Sequence, residues 1–494
     1  MSNYGSDAVK TPNFERFARR AMTFNNHYVG SLPCMPARRD MHTGRLNFMH
    51  RSWGPLEPFD NSFPQLLKNN GIYSHLISDH LHYFEDGGSG FHTRFNTWEY
   101  IRGQEHDPWI AMVKPPIERF KEKFDPRNYD FERPSKRLQG AINREKIREE
   151  DEFPGPKCFN SAFEFLEVNK DVDDWSLMLE CFDPHEPFHA PERFQAAFNI
   201  DSTKKVLDWP RYEEVVENDQ DINTIRANYG ALVAMCDDYF GQLLDRFDEY
   251  NLWSDTALIL STDHGFLLSE HDWWGKCRMP YYEEISHIPL MIYDPRAPES
   301  SGNSTNAITQ TMDLMPTILD LHGVDIPDEV RAESLSAIIK NPESQGREFA
   351  MFGIFSGPIG VTDGKFVLYY YPPDYSASGL REYTLAPHHM IEPFNVEELR
   401  TSKMADPFNF TKGCPLLSIA ALPDAPRIPM NDGKSFADFD TALYDLENDP
   451  KQEKPIINEE VTQNLLKAVT EILNDHDAPS EMYDWYNLTL AKPA

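Results

Sequence analysis

The chain has 494 residues, enough for roughly two to four domains or one large α/β body with an appendage. With 40% hydrophobic and 13% aromatic residues it is not a disordered chain, and no apolar run approaches the ~20 residues of a membrane-spanning helix. Lys and Arg number 47 against 80 Asp and Glu, and the formal net charge of −33 argues against nucleic acid and anionic membranes as partners. The opening Met1-Ser2-Asn3-Tyr4-Gly5 has no basic n-region and no apolar h-region, so the chain as written reads as cytoplasmic. Its six cysteines, Cys34, Cys158, Cys181, Cys236, Cys277 and Cys414, are scattered without disulfide-framework spacing. All but Cys34 read as buried small hydrophobes in a reducing compartment.

In chain order, Thr11-Pro12 opens a helix whose apolar face is Phe14, Phe17, Ala18 and Ala21. Tyr73 to Ser78 is predicted as a strand, residues 102–157 as a polar surface excursion outside the core, and Trp175 to Phe182 as a second strand. Residues 221–250 form a long amphipathic helix. Ala257 to Ser261 is a short apolar run suited to a buried central strand, and Ile288 to Tyr293 is another. Asp313 to Leu321 is a helix stopped by Gly323. This alternation implies an α/β fold with a large, mostly parallel sheet sandwiched by helices over residues 1–345. A smaller C-terminal α+β subdomain, 346–494, follows. It holds antiparallel strands from Gly353 to Tyr371 with a turn at Asp363-Gly364, a polar insertion at 372–437, a last strand at Ala442–Leu446 and a helix at 459–475.

Four clusters carry chemistry. In Leu32-Pro33-Cys34-Met35-Pro36-Ala37-Arg38, Pro36 fits the first turn of a helix ending near Thr43-Gly44-Arg45. Cys34 then lies at a helix N-terminus that favours an anion, with Arg38 one turn on along the same face. C-x-P by itself equally describes a buried cysteine before a helix. Ser261-Thr262-Asp263-His264-Gly265 follows the buried strand, and the carboxyl ends of strands are where α/β sheets bind ligands. Asp263 and His264 there could hold a divalent cation, serve as acid and base, or simply cap a loop. Lys276, in Trp273-Trp274-Gly275-Lys276, is either aimed by its aromatic neighbours at an anion or lies on the surface. His185 is fixed between two prolines in Asp183-Pro184-His185-Glu186-Pro187, after the second strand. His80 and His82, in Ser78-Asp79-His80-Leu81-His82, share a face on extended chain, where metal binding, proton transfer and plain exposure are all open. Together, these strand ends and helix starts suit one polar pocket holding a tetrahedral anion.

Cys34-Met35-Pro36-Ala37-Arg38 with Thr43-Gly44-Arg45 resembles the C-x-P-x-R…T-G-R signature of the type I, formylglycine-dependent sulfatases of the alkaline-phosphatase-like superfamily. Thr11-Pro12-Asn13-Phe14, Asp263-His264-Gly265, Trp274-Gly275-Lys276, Pro184-His185, Asp313-Leu314-Met315-Pro316-Thr317 and Leu443-Tyr444-Asp445-Leu446 stand at the family's positions in order. The resemblance implies an alkaline-phosphatase-like fold and a sulfuric ester hydrolase. Its nucleophile is formylglycine, made from Cys34 by a formylglycine-generating enzyme. Arg38 would polarise the nucleophile, and Asp263 and His264 with residue 34 would hold a divalent metal, calcium first, magnesium or manganese next. Lys276 and His185 would bind sulfate and protonate the leaving alcohol, with His80 in the place of the family's lysine and His82 of its histidine. The implied substrate is a sulfated small molecule or saccharide. Arg102, His106, His388 and His389, from the two insertions, are candidates for reading its organic part.

Two departures carry alternatives. His264 replaces the family's usual asparagine and is similar to phosphonate monoester hydrolases and choline sulfatases, so a phosphonate or phosphodiester hydrolase is one alternative. Family members also begin with an apolar strand ending in metal-binding aspartates, whereas here ten residues precede Thr11. The expectation is that this strand, and a signal peptide with it, lies upstream of Met1. The second alternative is an inactive binder of sulfated ligands with an unmodified Cys34.

Overall fold

The computed structural model describes residues 1–489 except 133–134, 278–279, 376, 378 and 423–435. The α/β layer has β1 (Met22–Tyr28), β2 (Tyr73–Ser78), β3 (Thr97–Tyr100), β4 (Trp175–Glu180), β5 (Leu258–Ser261), the short β6 (Leu267–Leu268) and β7 (Trp274–Gly275), β8 (Leu290–Tyr293) and β9 (Ser304–Gln310). β3-β2-β4 is wholly parallel, with Ser78 opposite Glu180 at the carboxyl ends. In β5-β8-β1-β9 only β8 runs against the rest. The mostly parallel α/β layer expected from the sequence is therefore present, in two pieces.

The pieces face one another across a cleft. β4 and β5 each end their own sheet, and residues of both strands line one cavity of about 2070 Å³. Leu177, Met178 and Leu179 on β4 and Leu258, Ile259 and Leu260 on β5 are only partly buried, whereas all of β8 is buried. Unpaired edges with apolar side chains are a liability that sheets normally cover.

Helices cover the layer as the patterns predict. Asp219–Glu249 packs Phe240, Leu244 and Phe247 against Phe14 and Phe17, the buried face of helix Pro12–Ala18. Leu314–Leu321 follows a 3-10 turn at Thr311–Asp313 and stops before Gly323 at φ 65°. β1 and β9 escape the hydrophobic pattern because Asn25-Asn26 and Ser304-Thr305-Asn306 interrupt it. Residues 102–157 are more than a surface excursion. Phe120, Phe124, Tyr129, Leu138, Ala141 and Ile142 close on Trp209 as a small core of their own, with apolar residues spaced too irregularly to show in the sequence.

The antiparallel region begins at β10 (Ala350–Gly353). It continues through β11 (Ile359–Thr362) and β12 (Phe366–Tyr370), with Gly364 at φ 83° in the turn between them. Within the stretch read as a polar insertion lies a second sheet, β13 (Arg381–Thr384), β14 (Lys403–Ala405) and β15 (Leu416–Ala420), in the order β13-β15-β14. Its residues 376, 378 and 423–435 lie outside the described ones. β16 (Ala442–Asp445) completes β10-β11-β12-β16, and helix Glu459–Asp475 packs Leu465, Val469 and Leu473 into the same core.

Candidate active site

Four strand ends, two from each sheet, deliver the site. β1 leads to Cys34, β2 to His80, β4 to Glu180 and His185, and β5 to Asp263 and His264, while Lys276 directly follows β7. Cys34 is the first residue of helix Cys34–Thr43, and Pro36 stands in its first turn, where N–H groups have no helical partner. Gly44 ends the helix at φ 65°, and Arg45 beyond it bonds the carbonyls of Glu329 and His476. Asp40, in mid-helix, accepts from the Ser31 hydroxyl at 2.8 Å and Asn47 Nδ2 at 2.6 Å, so the loops on either side are tied to the helix that presents Cys34.

Around Cys34 the polar atoms converge. His264 Nε2 lies 3.3 Å and Lys276 Nζ 3.5 Å from its Sγ. Lys276 Nζ also reaches His185 Nε2 at 2.9 Å. Arg38 Nη1 donates to the Cys34 carbonyl at 2.9 Å and to Asp263 Oδ2 at 2.6 Å. Its Nε donates to Glu180 Oε1, and Glu180 Oε2 accepts from Tyr83 at 2.6 Å. Cys34, Arg38, His264 and Lys276 are buried, yet all line the cavity.

The electrostatics sort these groups. Burial pushes the Cys34 thiol up, against Lys276 and Arg38, which disfavours a thiolate nucleophile. Burial also pushes His264 down to about 4 and His185 well below its ordinary value, with Lys276 adding to both. Burial would likewise lower Lys276, but the acidic groups around it, the Asp263 carboxylate among them, outweigh it and hold the ammonium charged. Burial raises Asp263, and His264, Arg38 and Lys276 more than reverse that, so it is a carboxylate. The tautomers follow from the partners: His264 Nδ1 donates to the Gly265 carbonyl at 2.9 Å, leaving the Nε2 lone pair toward Cys34. One atom each of Cys34, Asp263 and His264 lie within 4.8 Å of one another, a carboxylate, an imidazole and residue 34 that fit a divalent cation.

His80 lines this cavity. His82 stands behind it, its ring edge-on to Trp53 and its Nδ1 on Glu85. The four candidates for the organic group are placed elsewhere. Arg102 forks onto Asp107 and covers Tyr100, and His106 lies 3.0 Å from Glu105 and 3.5 Å from Glu85. His388 is 3.9 Å from Asp86, and His389 is buried on Glu398 at 2.7 Å. Each has met a carboxylate of its own locality, and none is among the residues that line the cavity around Cys34. Glu180 and Tyr83, which hold Arg38, were missed from the sequence, since nothing in their spacing marks them.

The sulfatase family model matches residues 1–324. The chain is 24% identical over 375 residues to an arylsulfatase of Clostridium perfringens, covering 70% of this chain and 76% of that one. It is 22% identical over 407 residues to a choline-sulfatase of Rhizobium meliloti, covering 74% of each. Among solved structures, BT4656 in complex with its substrate D-glucosamine-2-N,6-O-disulfate superposes with a TM-score of 0.64 at 16% identity, over 97% of this chain and 96% of that one. A phosphonate monoester hydrolase of Agrobacterium radiobacter gives 0.62 at 18%, over 97% and 92%. With the motif residues gathered at one cavity and the family model spanning the layer that carries them, the chain belongs to the sulfatase family and is a sulfuric ester hydrolase.

Proposed function

We propose that the protein hydrolyses a sulfate ester through a formylglycine made from Cys34 by a formylglycine-generating enzyme. What carries this is the convergence of Lys276 Nζ and His264 Nε2 on the Cys34 side chain, in a cavity also reached by His185, Arg38 and Asp263. Residue 34 as the hydrated aldehyde supplies one hydroxyl to attack sulfur and a second whose deprotonation expels sulfate. Asp263 and His264 with residue 34 would hold the divalent cation, for which we favour calcium over magnesium or manganese. Bound there it would lower the pKa of the attacking hydroxyl and offset charge on the transferring group.

The remaining work falls to the side chains. Lys276 and Arg38 place fixed positive charge where oxygen charge develops, in a site where burial strengthens it. Arg38 also holds the residue 34 backbone by its carbonyl. Lys276 with His185 protonates the leaving alcohol. Burial keeps His80 neutral, with the charges of Arg38 and His82 assisting, so it can take a proton from the second hydroxyl. A sulfated small molecule or saccharide is the substrate class we favour. His264 supports a second reading, hydrolysis of phosphonate monoesters or phosphodiesters. The test is turnover of an aryl sulfate and of an aryl phosphonate monoester by protein made together with a formylglycine-generating enzyme. A faster sulfate reaction supports the first reading, a faster phosphonate reaction the second, and inertness to both the binder.

A further inference from the structure

Lys276 and His185 belong to a closed circuit completed by Glu186 and Tyr212. Glu186 follows His185 and is buried, and its carbonyl oxygen lies 2.6 Å from His185 Nδ1. Its carboxylate Oε2 lies 3.3 Å from the same nitrogen and has no hydrogen-bond partner among the described residues. The other carboxylate oxygen, Oε1, accepts from the Tyr212 hydroxyl. The Tyr212 ring lies against Gly275, where an added Cβ would come 2.5 Å from ring carbon Cδ1, and Gly275 takes φ 101°. Phe266 meets the same ring edge-on at 5.7 Å.

The backbone ties the two segments together. Trp274 N–H donates to the Glu213 carbonyl at 3.0 Å, and Val215 N–H to the Asp272 carbonyl at 2.8 Å. Tyr212 is thus anchored to the segment that carries Lys276 and reaches across to the one that carries His185. The circuit closes through Lys276 Nζ and His185 Nε2, 2.9 Å apart. If Nδ1–H donates to the Glu186 carbonyl, Nε2 is left as the acceptor for the Lys276 ammonium. Outer partners of this kind, here the Glu186 carbonyl with the carboxylate of the same residue beside it, fix a ring's tautomer and orientation.

We propose that Glu186 and Tyr212 are a positioning pair for the leaving-group side of the site, holding His185 as its Nδ1–H tautomer with Nε2 on Lys276. This rests on the sulfatase reading above. As the bond between sulfur and the ester oxygen breaks, its electron pair goes to that oxygen. A Lys276 N–H bond breaks and the proton forms the alcohol O–H. The neutral amine regains a proton from water. His185 keeps the ammonium aimed.

The test has two arms, on the full chain matured to formylglycine. In the first, Glu186→Gln and Tyr212→Phe are assayed on a sulfate ester of an alkyl alcohol, which leaves only when protonated, and on nitrophenyl sulfate, which leaves without help. The expected result is a kcat loss of about 10–100-fold on the alkyl ester with KM little changed, and less than about threefold on the aryl ester. Equal losses on both esters would indicate a merely structural pair and overturn the proposal. In the second arm, nitrogen NMR of labelled histidines reads the His185 tautomer without turnover. Nδ1–H in the unsubstituted protein, with the other tautomer appearing in Tyr212→Phe, supports the proposal, whereas Nε2–H in the unsubstituted protein or identical spectra overturn it. If the unsubstituted enzyme turns over neither ester, the sulfatase reading has failed, and the NMR arm alone decides the pairing.

Discussion

Around Cys34, two fixed cations and two neutral imidazoles point into a cavity, whereas around His106 an imidazole and two carboxylates point at one another. His106 sits 3.0 Å from Glu105 and 3.5 Å from Glu85, and Glu85 also takes His82 Nδ1. Burial would lower His106, but Glu105 and Glu85 raise it to about 9, so it is an imidazolium held between two carboxylates. At Cys34 the Nε2 atoms of His264 and His185 and the Nζ of Lys276 instead face one another, cation against neutral base, beside the cavity. Both clusters are at least partly buried and hold histidine. What separates them is that one closes on itself and the other leaves lone pairs and donors for something else.

The comparison breaks most sharply at Cys34. Cys34→Ala is expected to lower sulfate turnover by ~10⁵-fold or more, with little change in Tm, since it removes the nucleophile and very little volume. Retention of activity, read by the aryl sulfate assay, would move the chemistry elsewhere. Arg38→Ala comes next, with turnover down about 10²–10³-fold. It leaves Glu180 and Asp263 without their cation and costs about 3–5 kcal/mol of stability. Denaturant melts together with kcat would show both losses.

On the other side, His106→Gln is expected to spare kcat while costing stability, by about 3–5 kcal/mol at pH 6. The sign of its pH dependence follows from the raised value. The His106 contribution is complete below its ordinary 6.5 and is lost as pH rises through about 9, so the gap between the two proteins narrows over that span. A gap that widens with pH, or a fall in kcat at unchanged stability, would place His106 in the site after all. The smallest effect is expected from His388→Ala. This partly exposed ring, 3.9 Å from Asp86, should shift stability by less than about 0.5 kcal/mol and leave KM alone. A raised KM would bring the C-terminal loops to the substrate.

What the sequence showed, and what it hid, follows the same division. The strands β2, β4, β5 and β8 and the terminal helix were legible because apolar runs and periodicity mark buried elements directly. β1 and β9 were hidden by Asn25-Asn26 and Ser304-Thr305-Asn306, which make the two strands read as loop. Cys34, Asp263, His264, His185 and Lys276 each follow a strand or open a helix within a recognisable run, Arg38 lies one turn on from Cys34, and the structure brings all six to one cavity. Arg102, His106, His388 and His389 were drawn in from the two insertions expected to wall the pocket, and the carboxylates beside them are visible only in three dimensions. Glu180 and Tyr212 act through partners more than 25 residues away in sequence, Arg38 and Glu186, and no local pattern reports such a partner.

The central claim is that residue 34 becomes the nucleophile, and the mass of the peptide containing it tests this most directly. In protein made with a formylglycine-generating enzyme, the account predicts a shift of that peptide from thiol to aldehyde or its hydrate, accompanied by sulfate turnover. A peptide that keeps the thiol in protein that nonetheless hydrolyses sulfate esters would contradict it.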